Sequence, residues 1–317
     1  MSIATYIKEI GRGKEGARSL SREQSHDLMS QVLDGRVSDL ELGAFALAMR
    51  IKGESIDELS GFLRAVHERS LQISASTPVV ILPSYNGARK LPNLTALLAL
   101  LLAQNDIPVL VHGPSRDPSR VTTASVFHDL GLPTALDAAD MSNAWARREP
   151  VFIATENLCP SLARLLDVRW VIGLRNSGHT VAKLLAPTTE GQAFRVVNHT
   201  HPEYGEALTS FLQREHAHAM LLRGTEGEPV ADPRRLPKLD VFLQGQLRPD
   251  LSVVAQEGVL TELPVLPRNI DAATTAVYIQ SVISGEKPAP GPLARQTECI
   301  AEAWRALTGE RMRERSA

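Results

Sequence analysis

The sequence predicts an α/β protein, a small N-terminal helical domain followed by a larger α/β domain with a mostly parallel central sheet. Two observations carry this. Residues 1 to about 70 read only as capped amphipathic helices. From about residue 77, short β-type runs alternate with helical stretches, the pattern of parallel strands joined by crossover helices.

The helical part is built three times on one plan. "SLSREQSHDLMSQVLDG" has Ser21 as N-cap, Gln24 at the capping-box position, an apolar stripe through Leu28, Val32 and Leu33, and a stop at Gly35. "SDLELGAFALAMRIKG" repeats this with Ser38, a stripe through Leu42, Phe45, Ala46 and Met49, and Gly53. "SIDELSGFLRAVHERS" is the third copy. The β-type runs are "PVVIL", "IPVLVHG" (107–113), "PVFIAT" (150–155), "FRVVNHTH" (194–201) and "HAMLLRG" (218–224), with helices expected at 93–104, 119–130 and 203–214. Residues 160–186 read as helical for longer than one crossover needs, so they are expected to join the N-terminal unit. The expected domains are therefore 1–74 with those helices, and 75–159 with 187–317. The tail predicts a helix from Ala272 to Ser284 and another from about Pro292 to Leu307, joined by "GEKPAPGP".

Composition narrows the function classes. The 317 residues are 43% hydrophobic and 22% charged, so the chain is globular with a substantial core. A formal charge of −2 gives no bulk support for nucleic-acid binding and leaves room only for a local patch. The two cysteines, Cys159 and Cys299, have no zinc or CxxC spacing and fit a reducing cytosol. No signal peptide is read in the first twenty residues, and "LTALLALLLA" is too short to span a bilayer. A cytoplasmic protein is expected.

Ligands of an open parallel sheet gather at the carboxyl ends of its strands. The first run is followed by "PSYNGARK", a strand–loop–helix context that commonly holds phosphate, here with one glycine and with Arg89 and Lys90 added. "HGPSRDPSR" follows the second with His112, Arg116 and Arg120; "RVVNHTH" ends in His199 and His201; "MLLRGTEGEPVADPRR" brings Arg223, Arg234 and Arg235. Any one of these cations alone would be an ordinary solvated side chain, but together they predict a cationic rim and a shared anion site. No metal site is expected, because His199 and His201 lack an acidic or thiol partner at ligand spacing. No GxSxG elbow or Cys–His motif marks a nucleophile. Carboxylates near the strand ends are sparse, mainly Glu156, Glu226, Glu228 and Asp232, and no adjacent pair offers a Mg²⁺–diphosphate site.

These residues resemble anthranilate phosphoribosyltransferase and its relatives, the glycosyltransferase family 3 that also includes the pyrimidine nucleoside phosphorylases. "VHG" (111–113) falls where the family has Lys-His-Gly-Asn, and "GLRNSGHTVAKLLAP" (173–187) where it has an Arg-containing helix running into Asn-Leu-Leu-Gly-Pro. "SGEKPAP" (284–290) resembles a C-terminal segment, Asn93 matches the Asn of Asn-Ile-Ser, and Arg175 matches the arginine that faces anthranilate. The departures cluster at the phosphate side. The family's Gly-Thr-Gly-Gly-Asp becomes Pro83-Ser84-Tyr85-Asn86-Gly87, with Tyr85 as a suspected plug. In the Lys-His-Gly-Asn motif only His112 and Gly113 remain, and the family's Asp-Glu pair for Mg²⁺ falls on Pro229-Val230. "LRNSGHTVAKLL", "HPEY" and "LLRGTEGEPVADPRR" look like a divergent YbiB-type branch.

The resemblance implies a homodimer of the phosphoribosyltransferase/pyrimidine nucleoside phosphorylase fold. It implies non-specific binding of nucleic acid, DNA included, through a positive groove; no cofactor and no membrane contact are expected. The groove residues would be Arg89, Lys90, His112, Arg116, Arg120, Arg175, Lys183, Arg223, Arg234 and Arg235, beside family pocket positions Tyr85, Asn86, Gly87, Asn93 and Gly113. Two alternatives stay open. One is a phosphoribosyl diphosphate-dependent transferase that uses Mg²⁺ and anthranilate; the other is a transferase or phosphorylase for a different nucleotide or sugar phosphate.

Overall fold

The computed structural model describes residues 2–189 and 191–316. The chain divides into two compact units, Met1–Leu71 with Thr155–Pro187, and Gln72–Ala154 with Thr188–Ala317. In chain order the elements are α1 (Ala4–Ile10), α2 (Gly13–Gly16), α3 (Arg22–Leu33), α4 (Asp39–Lys52), α5 (Ile56–His67), β1 (Val79–Pro83), α6 (Thr95–Ala103), β2 (Val109–Gly113), α7 (Thr123–Asp129), β3 (Thr134–Ala135), α8 (Ala138–Ala146) and β4 (Val151–Ala154). Then follow α9 (Thr155–Leu158), α10 (Pro160–Ile172), α11 (Ser177–Ala182), β5 (Ala193–His199), α12 (Pro202–Arg214), β6 (Ala219–Arg223), β7 (Leu239–Leu243), β8 (Gln246–Leu247), α13 (Ala272–Ile283) and α14 (Gly291–Ser316).

The second unit is a single sheet in the order β3-β4-β2-β1-β5-β6-β7-β8. The first six strands are parallel; β7 and β8 add antiparallel. Every residue of β1 and β2 is buried, as expected of central strands covered on both faces. The run "TALLALLLA" forms α6, with Leu97, Leu98, Ala99 and Leu102 fully enclosed, so it has no polar face to offer solvent. Two indoles close strand entrances: Trp304 donates to the Pro78 carbonyl at 2.7 Å and Trp145 to that of Val109 at 3.0 Å. The β7–β8 hairpin is not expected from the sequence. Its two-residue turn, Gln244 and Gly245, has both residues at positive φ (49° and 73°), the geometry usually signalled by Asn-Gly or Asp-Gly. No helix among the described residues is long and apolar enough to cross a membrane.

The first unit carries its three expected caps in full. Ser21/Gln24, Ser38/Glu41 and Ser55/Glu58 each form a reciprocal capping box. Glu58 does more than cap. It is fully buried, accepts from the Leu20 and Ser55 N–H groups, and meets Lys52 Nζ at 2.6 Å. In α11, Asn176 and His179 make a fourth box. His179 Nδ1 accepts from the Asn176 N–H, while its Nε2 is buried without a partner. Burial, followed by the charges of Arg175, Arg169 and Lys183, pushes the imidazole down to about 3. The folded protein therefore holds His179 neutral where the unfolded chain would bind a proton. Its contribution to stability is complete above about pH 6.5 and is lost as pH falls toward 3. H179Q, which keeps a capping-box residue without a titratable ring, should lose about 3 kcal/mol less stability than the native protein between pH 6.5 and 4. Parallel urea melts at the two pH values measure this difference, and equal losses would refute it.

Candidate anion-binding groove

From β1 the chain runs outward to β2, β4 and β3 on one side, and from β5 outward to β6 on the other. The β1/β5 boundary is thus a topological switch point, where loops at the carboxyl ends diverge and leave a crevice. A cavity of about 810 Å³ lies there, lined by residues that follow β1 (Asn86, Arg89, Lys90, Leu91), β5 (Thr200, His201) and β6 (Gly224, Thr225, Glu226). Arg120, Arg223, Asp232, Arg234, Arg235 and Pro237 complete it. Arg234 is held by Asp232 at 2.9 Å. Among the described residues, the side chains of Arg89, Lys90, Arg120, Arg223 and Arg235 have no carboxylate oxygen within 4.0 Å. A second cavity, about 520 Å³, contains Asp106, Arg148 and Glu149. Its charged groups are all paired, Arg148 to Asp106 at 3.0 Å and Glu149 to Arg147, outside the lining, at 2.8 Å, so it lacks the cationic excess of the first.

The loop after β1 does form a cradle of N–H groups, and the chain's own carboxylates fill it. Glu228 Oε1 accepts from the N–H groups of Asn86 and Gly87, both at 2.7 Å. Its Oε2 accepts from Ser84 Oγ and, at 3.3 Å, from Thr95 Oγ1. A hydroxyl and amide relay lies behind it: Asn93 Nδ2 donates to Thr123 Oγ1 at 2.9 Å, and Thr123 meets Ser84 Oγ at 2.6 Å. One turn earlier, Glu226 Oε2 accepts from the N–H groups of Arg89 (3.0 Å), Lys90 (3.0 Å) and Leu91 (3.2 Å). Partial burial would raise the Glu226 carboxyl, but these three donors and the nearby Arg120 outweigh it and hold it below its usual range. Two glycines without a Cβ allow this close packing. A Cβ on Gly227, at φ +86°, would stand 1.7 Å from Asn86 Nδ2, and one on Gly113 would stand 1.9 Å from the Ser84 carbonyl.

The sequence-predicted cations separate into groups. Arg89, Lys90, Arg120, Arg223, Arg234 and Arg235 line one cavity. Arg116 is exposed in the loop after β2 and does not line it. Arg175 and Lys183 belong to the first unit, where they face His179. His112, expected on the rim, is instead fully buried, with its Nδ1 bonded to the Tyr85 hydroxyl at 2.8 Å and its ring edge-on to Tyr85. Tyr85 and Asn93 are buried too, and Gly87 holds φ +68° beside Arg120. The sequence shows Glu226 and Glu228 only as scattered acids. The pattern Gly224-Thr-Glu-Gly-Glu, two acids interleaved with two glycines, is the signal that marks a tight acidic turn. A Mg²⁺ ion does not fit this donor set. The oxygens of Glu226 and Glu228 that face the loop already accept N–H and O–H donors, the positions of the family's acidic pair hold Pro229 and Val230, and no metal-binding cluster occurs among the described residues.

Because Glu228 is 2% exposed and fixes four donors, E228Q should turn an amide hydrogen toward the loop N–H groups. The variant should lose about 2–3 kcal/mol of stability. Hydrogen exchange at Asn86 and Gly87 should quicken in the same variant, and unchanged protection would contradict the assignment.

Comparison with known proteins agrees with this architecture. Residues 4–70 match the helical bundle domain of the glycosyl transferase family. The chain is 39% identical over 313 residues to the uncharacterized protein YbiB of Escherichia coli (strain K12), covering 98% of this chain and 95% of that one. It is 28% identical over 216 residues to the anthranilate phosphoribosyltransferase of Pelotomaculum thermopropionicum, covering 67% of this chain and 60% of that enzyme. The crystal structure of the Thermus thermophilus anthranilate phosphoribosyltransferase superposes with a TM-score of 0.68 at 22% identity, covering 96% of this chain and 89% of that one. The Saccharomyces cerevisiae enzyme in complex with PRPP and Mg gives 0.69 at 13% identity, covering 96% and 91%. At these identities the two structures establish the fold alone. With the YbiB match spanning nearly the whole of both proteins, the chain belongs to the YbiB-type branch of the anthranilate phosphoribosyltransferase family.

Proposed function

We propose that this chain binds phosphate-rich polyanions, with nucleic acid as the ligand class, through the groove at the β1/β5 switch point. One observation carries the reading: five side-chain cations that have no ion-pair partner among the described residues converge on one cavity, and the backbone N–H cradle beside it is already filled by Glu226 and Glu228. Compact diphosphate recognition needs the cradle. A phosphate backbone needs only spaced cations along an open groove, and contacts of that kind carry no sequence preference. Aromatic residues are 4% of the chain, which makes base stacking a minor contributor. The protein is read as cytoplasmic, with both cysteines free and buried.

A second reading has its own support. Family membership and the shared fold favour a phosphoribosyl diphosphate-dependent glycosyltransferase. For that chemistry both glutamates must leave the loop and a Mg²⁺ site must come from elsewhere. An anthranilate fluorescence assay with phosphoribosyl diphosphate and Mg²⁺ decides between the readings, and clear turnover would put the transferase first.

The partner assignment extends to a second copy of the chain. Leu40, Leu47 and Ile51 of α4 recur at helical spacing and are 84%, 49% and 59% exposed. Trp170, Val171 and Leu174, also in the first unit, are exposed as well. We assign the exposed apolar face of α4 to a homodimer contact. L47E/I51E is expected to sediment as a monomer at concentrations where the native protein is dimeric; a native monomer would exclude the contact.

For the groove, fluorescence anisotropy with single-stranded and duplex DNA should give dissociation constants of about 1–100 μM at physiological salt. Affinity should fall steeply with added salt, and R89A/K90A should lower the log–log salt slope by about 2. Absence of salt-dependent binding would exclude the nucleic-acid reading. Binding of free nucleotides alone, detected as a raised melting temperature, would narrow the ligand to a small phosphate compound.

A further inference from the structure

The two carboxylates in the cradle differ in how they are held. Glu228 is enclosed and shares its oxygens among four donors from both backbone and side chains. Glu226 lines the cavity, and a single oxygen of its carboxylate takes all three N–H groups of Arg89, Lys90 and Leu91. Three successive N–H groups converging on one point form an anion site that belongs to the backbone of the loop, not to Glu226.

The segment carrying Glu226 is anchored without its carboxylate. The Glu226 carbonyl accepts from Asn86 Nδ2 at 2.8 Å, the Thr225 N–H donates to the Val230 carbonyl, and the Glu228 N–H donates to the Thr225 carbonyl, both at 2.8 Å. Glu226 itself sits at φ 52°, ψ 18°, a left-handed conformation unfavourable for a residue with a Cβ. The side chain is therefore set into the nest from a strained backbone position and can swing out while the turn stays in place.

We infer that Glu226 is an internal competitor for phosphate: a terminal phosphate group displaces its carboxylate from the Arg89–Lys90–Leu91 amides and docks there among the groove cations. This rests on the groove reading and sharpens its ligand. A terminal phosphate carries up to two charges and three free oxygens, whereas a carboxylate offers one charge. A backbone diester has one charge and two esterified oxygens, so the nest favours chain ends and free diphosphate over internal phosphates. Glu226 sets a threshold that only the stronger anion passes.

The test uses the intact protein and three variants. E226G vacates the nest and relieves the left-handed strain. E226Q keeps the side-chain shape with a neutral, weaker acceptor. D232N removes a carboxylate from the same cavity without opening the nest. Inorganic pyrophosphate is titrated calorimetrically, and one oligonucleotide is compared with and without a 5′-phosphate. E226G should bind pyrophosphate about tenfold more tightly than the native protein, with E226Q between them and D232N gaining about twofold or less. E226G should also prefer the 5′-phosphorylated oligonucleotide by a similar factor. Equal gains in E226G and D232N would mean that net charge alone is at work and would overturn the inference, as would an E226G no tighter than native. Failure of every form to bind the 5′-hydroxyl oligonucleotide would instead remove the groove reading, while the pyrophosphate titration still decides the role of Glu226.

Discussion

The buried carboxylate of Glu228 is the constraint on which the carboxyl edge of the sheet depends. It joins the loop after β1 to the loop after β6 through four donors, two of them backbone N–H groups at 2.7 Å. Two strands that are not hydrogen-bonded neighbours are thereby locked at their ends, across β5. The Asn93–Thr123–Ser84 relay orients the hydroxyl that Glu228 receives and ties in the start of α7. Gly113 is needed because the Ser84 backbone leaves no space for a Cβ, and Gly227 because the Asn86 side chain packs against it at positive φ. Hydrogen bonding and close packing are both satisfied at one point, and four donors stand in for a counter-ion around the buried carboxylate.

That arrangement changes what the site can recognise. A backbone cradle selects a compact anion by geometry, since its N–H groups are fixed in direction. Side-chain cations on an open cavity select by charge and spacing, and their attraction is screened by salt. In the function we propose, filling the cradle with glutamates while arranging Arg89, Lys90, Arg120, Arg223 and Arg235 around it moves recognition from the first kind toward the second. The formal charge of −2 for the whole chain conceals this, because acids elsewhere balance a cavity that is locally cationic.

Local chemistry made most of the fold legible in the sequence. Ser21/Gln24, Ser38/Glu41 and Ser55/Glu58 announce three helix starts by residue type and spacing alone, and the fully apolar 95–103 run announces a buried helix. The hairpin at Gln244-Gly245 was not legible, because its turn lacks the usual Asn or Asp and its second strand has two residues. At the site, the cations near strand ends could be read because parallel topology dictates where such loops gather. His112 could not be placed, since a histidine before a glycine reads the same whether it faces a groove or, as here, packs on a buried tyrosine. The glycines around Glu226 and Glu228 mark a tight turn, but the pairing of these acids with amides more than 130 residues away is a long-range fact that no local pattern announces.

The choice of glutamate, and not an apolar plug, follows from the backbone. The loop that leads from β1 into α6 presents the N–H groups of Asn86, Gly87, Arg89, Lys90 and Leu91 to the turn that carries Glu226 and Glu228. Covering those donors with hydrocarbon would leave them unsatisfied, at a cost of about 1–3 kcal/mol each. A chain that keeps the loop but gives up the family's glycines must therefore either hold an anion there or supply one. This chain supplies two from one short turn, 225–228, so the loop keeps its conformation without a bound phosphate. The conformation of the loop therefore rests on the chain's own carboxylates.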